Sequence, residues 1–197
     1  MIELFYQFIT IEAMGTYFKS IIILMLVCGT SIQYTSHTDD SAESYIELYR
    51  DLAIVEMYRT GIPASITLAQ ALHESNYGLS ALATNANNHF GIKCKSNWVG
   101  GTYYHKDDDY IRGRLIESCF RSYDSSIDSY VDHSYFLSTR KNYRHLFSLS
   151  SKDYRGWAFG LKDAGYATDK AYAQKLISKI EKYGLDQYDH WENPLEK

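Results

Sequence analysis

The chain has 197 residues, with 24 acidic against 20 basic side chains, a formal charge of −4 and a hydrophobic fraction of 45%. That length fits one globular domain, and the composition excludes both a disordered chain and a polytopic membrane protein. With a net negative charge and no Lys/Arg run longer than two, nucleic acid is also excluded as a partner, because a polyphosphate needs a basic face. Nineteen Tyr, eight Phe and three Trp bring the aromatic share to 15%. A ring that carries a hydroxyl suits an amphipathic ligand surface as well as ordinary packing.

Taken in chain order, the apolar run Ile21 to Cys28, flanked by Lys19 and by Gly29-Thr-Ser, predicts a secretory signal over residues 1–31. The run is far short of the roughly 20 residues that span a bilayer, so membrane contact is expected only in transit. Glu3 and Glu12 do not belong in a basic leader, which makes Met14 an alternative start. Lipid attachment at Cys28 and an uncleaved anchor are the competing readings; bulky Val27 before the cysteine weighs against the first. Residues 32–43 are polar and read as a linker, which puts the domain at 44–190 and a tail at 191–197.

Ser44 with Glu47 three positions later is a capping-box pattern, and Ile46, Tyr49, Ala53 and Met57 continue it at helical spacing as far as Gly61. Pro63 opens a second helix through Ile66, Ala69, Gln70, His73 and Glu74, broken by Asn76-Tyr-Gly. From Asn87 to Tyr123 the Gly, Asn, aromatic and β-branched content predicts a small β-hairpin lobe. Ser125 with Asp128 caps a helix through Leu137, and further helices are expected near Asp153 to Ala164 and Asp169 to Tyr183. Helical halves flanking a β lobe imply a cleft. Cys94 and Cys119 are an even pair once Cys28 leaves with the signal, and a bridge suits an exported chain. Two buried thiols are the alternative.

Glu74 stands late in a mostly apolar helix, where burial would keep a carboxyl protonated, as a general acid requires. A surface Glu near a helix end is the plainer reading. Three other motifs carry less. His73-Glu74 lacks the second histidine that a zinc-binding helix places at position 77, which is Tyr77. Asp107, Asp108 and Asp109 lack the glycine that folds a calcium loop. Cys94 with His133 as nucleophile and base is selected by no spacing. No His, Cys or carboxylate cluster has metal-ligand spacing, so neither metal nor cofactor is expected.

The blocks Gly61-Ile-Pro-Ala-Ser-Ile-Thr-Leu-Ala-Gln-Ala-Leu-His-Glu-Ser-Asn-Tyr-Gly, Ala86-Asn-Asn-His-Phe-Gly-Ile-Lys, Trp98-Val-Gly-Gly, Cys119-Phe-Arg-Ser-Tyr-Asp-Ser and Ala164-Gly-Tyr-Ala-Thr-Asp-Lys-Ala-Tyr resemble, in order, the glucosaminidases of glycoside hydrolase family 73. The resemblance covers Ser44 to Tyr188. It implies a lysozyme-like α+β fold, mostly helical with a small β lobe. The activity it implies is that of an endo-β-N-acetylglucosaminidase, exported and monomeric, acting on peptidoglycan glycan strands without a cofactor.

On that resemblance Glu74 matches the catalytic acid, and Tyr166 matches a tyrosine of the cleft with Tyr172 beside it. The family's second carboxylate falls where this chain reads Thr102-Tyr-Tyr-His-Lys-Asp-Asp-Asp, a departure from the usual pattern. Asp109 is the nominal choice, little separated from Asp107, Asp108 and Glu117, and attack by the sugar's own 2-acetamido group is the alternative. Tyr77 and Trp98 are candidates to stack on sugar faces, and Asn88, His89 and Phe90 to line the substrate site; packing is the competing role for all of them. Two other functions remain open, a lytic transglycosylase or muramidase on the same scaffold and a wall-binding module without turnover.

Overall fold

The computed structural model describes residues 37–111 and 113–196, with the backbone alone at 37, 38 and 107–111. The expected signal, Met14, Cys28 and the first part of the expected linker lie outside the described residues. Helix α1 spans His37–Thr60, α2 Ala64–Glu74 and α3 Ala81–Ala86; strands β1 (Gly101–Ile111) and β2 (Arg114–Ser122) follow. Helices α4 (Ser126–Thr139), α5 (Tyr154–Asp163) and α6 (Tyr172–Tyr183) complete the frame, with 3-10 turns at Lys141–Ser148, Leu185–His190 and Pro194–Glu196.

Helix α2 is the spine. Every residue from Ala64 to Leu72 is buried, as a helix apolar on all sides must be. Around it pack Ile54 and Met57 of α1, Tyr130 and Leu137 of α4, Trp157 and Leu161 of α5, and Leu176, Ile177 and Ile180 of α6. Pro63 at its N-cap supplies no capping side chain. Instead Asp189, distant in sequence, accepts from Ser65 N at 2.8 Å and Ser65 Oγ at 2.6 Å, satisfying a donor that a helix start leaves unpaired.

The predicted hairpin is an antiparallel pair with Gly101 opposite Ser122 and Lys106 opposite Glu117. Its register breaks between Lys106 and Tyr110, so the backbone of Asp107, Asp108 and Asp109 forms a bulge. The preceding loop is sewn to β2: Cys94 N donates to Cys119 O at 2.8 Å, Arg121 N to Ile92 O at 2.9 Å, and a Cys94–Cys119 disulfide joins the same residues. The capping box at Ser125 is present, with reciprocal Ser125 and Asp128 bonds.

Two expectations need correction. Helix α1 begins at His37 rather than at Ser44, so 37–43 are not linker; Asp39 and Asp40 occupy its first turn, Ala42 is fully buried, and Lys182 holds Asp39 at 2.5 Å. Acidic residues at a helix start are favoured by the dipole, a signal that outweighs the lack of apolar periodicity. Helix α6 begins at Tyr172 rather than Asp169, whose carboxylate instead accepts from Ala171 N at 2.9 Å in the approach turn. Among the described residues no helix is long and apolar enough to cross a membrane.

Candidate active site

Glu74 is the last residue of α2, half-buried. The chain leaves it through an unusual turn. Asn76, Tyr77 and Gly78 all have positive φ, at 50°, 60° and 81°, a conformation that costs non-glycine residues about 1–3 kcal/mol each. Ser75 sustains it: its Oγ donates to Ala71 O at 2.6 Å and accepts from Gly78 N at 2.7 Å. The Tyr45 ring lies against Gly78 so closely that a Cβ there would meet it at 2.8 Å. The helix therefore stops at the residue that carries the carboxyl, and Glu74 opens into a cleft.

That cleft, about 400 Å³, is lined by Glu74, Phe90, Lys93, Lys95, Arg140 and Tyr166, among others. Phe90 is a fixed wall, stacked on His133 at 3.9 Å between centroids. Tyr166 is stacked on Tyr172 at 5.5 Å and 21°. Burial first, then the Glu74 charge, push the Tyr166 hydroxyl well above the ordinary phenol range, so it stays a neutral hydrogen-bonding group. The Arg140 guanidinium sits 3.8 Å from the Phe136 ring centroid, and with Lys93 and Lys95 it sets three cations around the carboxyl's cleft.

Tyr172 is 1% exposed and its hydroxyl donates to Glu74 Oε1 at 3.0 Å. Expected to touch substrate, it supports the carboxyl from behind, since it has no surface to offer a sugar. Gln70 Nε2 donates to the same hydroxyl at 2.9 Å, and Gln70 Oε1 lies 3.2 Å from His133 Nε2.

The other expected residues divide. Asn88 is buried, its amide donating to Ile92 O and Arg121 O while its Oδ1 accepts from Phe90 N and Ile92 N; with every polar atom engaged it ties the cleft loop to β2. His89 accepts the Tyr45 hydroxyl at Nδ1, 2.7 Å away, and burial lowers its pKa to about 4. His89 and Tyr77 line a different groove of about 450 Å³ with Tyr45 and Tyr49. Lys179 donates to the Tyr77 hydroxyl at 3.1 Å and holds it below the usual phenol range. Trp98 donates from Nε1 to Gly101 O and lies under the Arg121 guanidinium at 4.4 Å, which pairs with Asp132. It packs the lobe. The side chain of Asp109, with those of Asp107 and Asp108, lies outside the described residues, and Glu117 is exposed on β2.

Sequence reasoning gave Gln70 no role in the site, although four residues before Glu74 is the same helix face. It also passed over Lys93, Arg140 and Tyr143, cleft residues that only the tertiary fold brings there.

Comparison with known proteins agrees with this geometry. Residues 50–185 match the family model Glucosaminidase, described as mannosyl-glycoprotein endo-beta-N-acetylglucosaminidase. The exo-glucosaminidase LytG of Bacillus subtilis (strain 168) is 31% identical over 179 residues, which cover 86% of this chain and 62% of LytG. The chain thus spans less than two thirds of the length of that curated relative. Among solved structures, the catalytic domain of the autolysin Auto from Listeria monocytogenes aligns with a TM-score of 0.66 at 28% identity, covering 80% of this chain and 91% of that one. The glycoside hydrolase domain of Salmonella typhimurium FlgJ, C-terminally truncated, aligns at 0.60 and 28%, covering 73% and 97%. With its helical frame, its two-stranded lobe and Glu74 ending the central helix, this chain belongs to the glucosaminidase family.

Proposed function

We propose that the protein is an exported, monomeric hydrolase of peptidoglycan glycan strands, cutting within the strand after N-acetylglucosamine with Glu74 as general acid. The observation that carries this is a carboxyl at the end of a buried helix, held by the Tyr172 hydroxyl at 3.0 Å and opening into a cleft with aromatic walls. The family description and the names of the relatives support the same class of substrate.

A sugar seated in the cleft would rest on Tyr166, backed by the buried Phe90, and place its glycosidic oxygen at Glu74. Protonation of that oxygen makes the leaving group viable as positive charge develops on the sugar ring. Lys93, Lys95 and Arg140 line the same cleft and make its surroundings cationic. Attack on the opposite face comes from water guided by a carboxylate of the β1 bulge, Asp109 by assignment, or from the sugar's own 2-acetamido oxygen.

The test is mass spectrometry of borohydride-reduced fragments from peptidoglycan digested by the protein, beside Glu74→Gln. Reduced N-acetylglucosamine ends that vanish in the variant are expected. Muramic or anhydro-muramic ends would move the protein to muramidase or transglycosylase chemistry, and retained binding without fragments would make it a wall-binding module.

A further inference from the structure

His133 reaches Glu74 through two intermediaries, Gln70 and the Tyr172 hydroxyl that holds the carboxyl. It is fully buried, stacked on Phe90, and its Nε2 lies 3.2 Å from Gln70 Oε1. Gln70 Nε2 donates to the Tyr172 hydroxyl at 2.9 Å, and that hydroxyl donates to Glu74 Oε1 at 3.0 Å. Four side chains from α4, α2 and α6 thus form one hydrogen-bonded chain that runs from the core to the cleft, and its direction is not free. A hydroxyl has one proton: if Tyr172 accepts from Gln70 it gives that proton to Glu74, and if the Gln70 amide turns over, Tyr172 gives it to Gln70 instead.

The histidine decides between the two. In the direction drawn, Nε2 carries the hydrogen and Nδ1 is a bare acceptor. In the reverse direction Nε2 must accept, and the hydrogen moves to Nδ1, which has no protein partner among the described residues. A buried N–H without an acceptor is rarer and costlier than an under-used acceptor. Burial also holds His133 neutral, with a pKa of about 3, so one nitrogen always lacks a proton.

We propose that His133 is a positioning residue for Glu74: its Nε2–H tautomer, acting through Gln70 and Tyr172, makes Glu74 Oε1 an obligatory acceptor and leaves the acid's proton to Oε2. This rests on the reading of Glu74 as the acid, and it adds why that carboxyl delivers from one oxygen. Charged and titratable groups lining the same cleft are Lys93 and Lys95 from the loop before β1, Arg140 at the end of α4, and Tyr143 and Tyr166; none of them is altered by the variants below.

The experiment uses the whole protein with ¹⁵N-labelled histidine and ¹³C-labelled glutamate. The His133 ring, assigned by its loss in His133→Gln, should show a proton on Nε2 and a bare Nδ1 at neutral pH. In His133→Phe, which keeps an aromatic face for Phe90 but removes the donor, the Glu74 carboxyl carbon should titrate at higher pH than in the wild type, because Tyr172 is free to turn its proton to Gln70. His133→Gln keeps an N–H at that end and should restore the wild-type titration. On peptidoglycan, kcat should fall about tenfold in His133→Phe with KM unchanged and the alkaline limb of the pH profile moved upward. An Nδ1–H tautomer, or Phe and Gln variants that titrate alike, would overturn the proposal. Absence of fragment release by the wild type, with the tautomer and titrations as expected, would remove the glucosaminidase reading and leave the chain standing.

Discussion

Asp189 offers a direct test of how the central helix is held. Its carboxyl is 4% exposed and accepts two bonds from Ser65, yet burial outweighs those bonds and raises its pKa from 3.8 to about 6. A carboxyl whose folded pKa exceeds its unfolded value stabilises the fold fully below the unfolded pKa and loses that contribution as pH rises through the folded one. The window is therefore pH 3.8 to about 6, and at 1.36 kcal/mol per pH unit the loss is about 3 kcal/mol. Asp189→Asn removes the titration while its amide can still bond Ser65. Urea unfolding of both proteins from pH 4 to 7 should show the wild type falling relative to the variant. With m of roughly 1–3 kcal/mol per M, the midpoints should separate by about 1–3 M across the window. Parallel midpoints, or a wild type that gains on the variant as pH rises, would refute the reasoning; the second result would mean that attraction to the helix N-terminus exceeds the burial cost.

His89 should act with the opposite sign. Its pKa is depressed to about 4 by burial, so its contribution is present above 6.5 and lost as pH falls, on the order of 3 kcal/mol, and His89→Gln should flatten that acid slope in the same urea series. Gly78→Ala should lower stability by about 1–3 kcal/mol, because it combines a φ of 81° with a Cβ that meets the Tyr45 ring at 2.8 Å; an unchanged midpoint would show that the turn relaxes. Reducing Cys94–Cys119 frees a loop worth roughly 3.5 kcal/mol in the chain-entropy model. The expected result is a lower melting temperature in reductant, with an intact mass two hydrogens greater.

What the sequence made legible is what local chemistry writes down. The Ser125–Asp128 box, Pro63 before an apolar helix and the Asn76-Tyr-Gly break are short-range signals, and each stands where it was expected. The hairpin and its disulfide follow from composition and an even cysteine pair. Helix α1 was misjudged by seven residues because His37 to Glu43 carry no apolar stripe; their helix is held by Ala42 in the core and Asp39 against Lys182. Aromatic and amide residues near Glu74 were read as ligand contacts. Asn88 and Tyr172 bury their polar atoms on protein partners instead, a distinction between wall and lining that depends on tertiary contacts. Gln70 was readable from its i, i+4 spacing to Glu74, whereas the roles of His133 and the Asp189 cap are visible only once distant segments meet.

Those distances bear on the order in which a growing chain acquires its chemistry. Glu74 waits for Tyr172, 98 residues later, and the start of its helix waits for Asp189, 124 residues beyond Ser65. Synthesis and folding proceed from the amino end, so Glu74 and its helix are made well before the Tyr172 hydroxyl and the Asp189 carboxylate that hold them. A nascent chain that ends before residue 172 has the acid without the Tyr172 hydroxyl, and one that ends before 189 has the central helix without its cap. The two long-range supports are made in turn, the hydroxyl first and the cap after it.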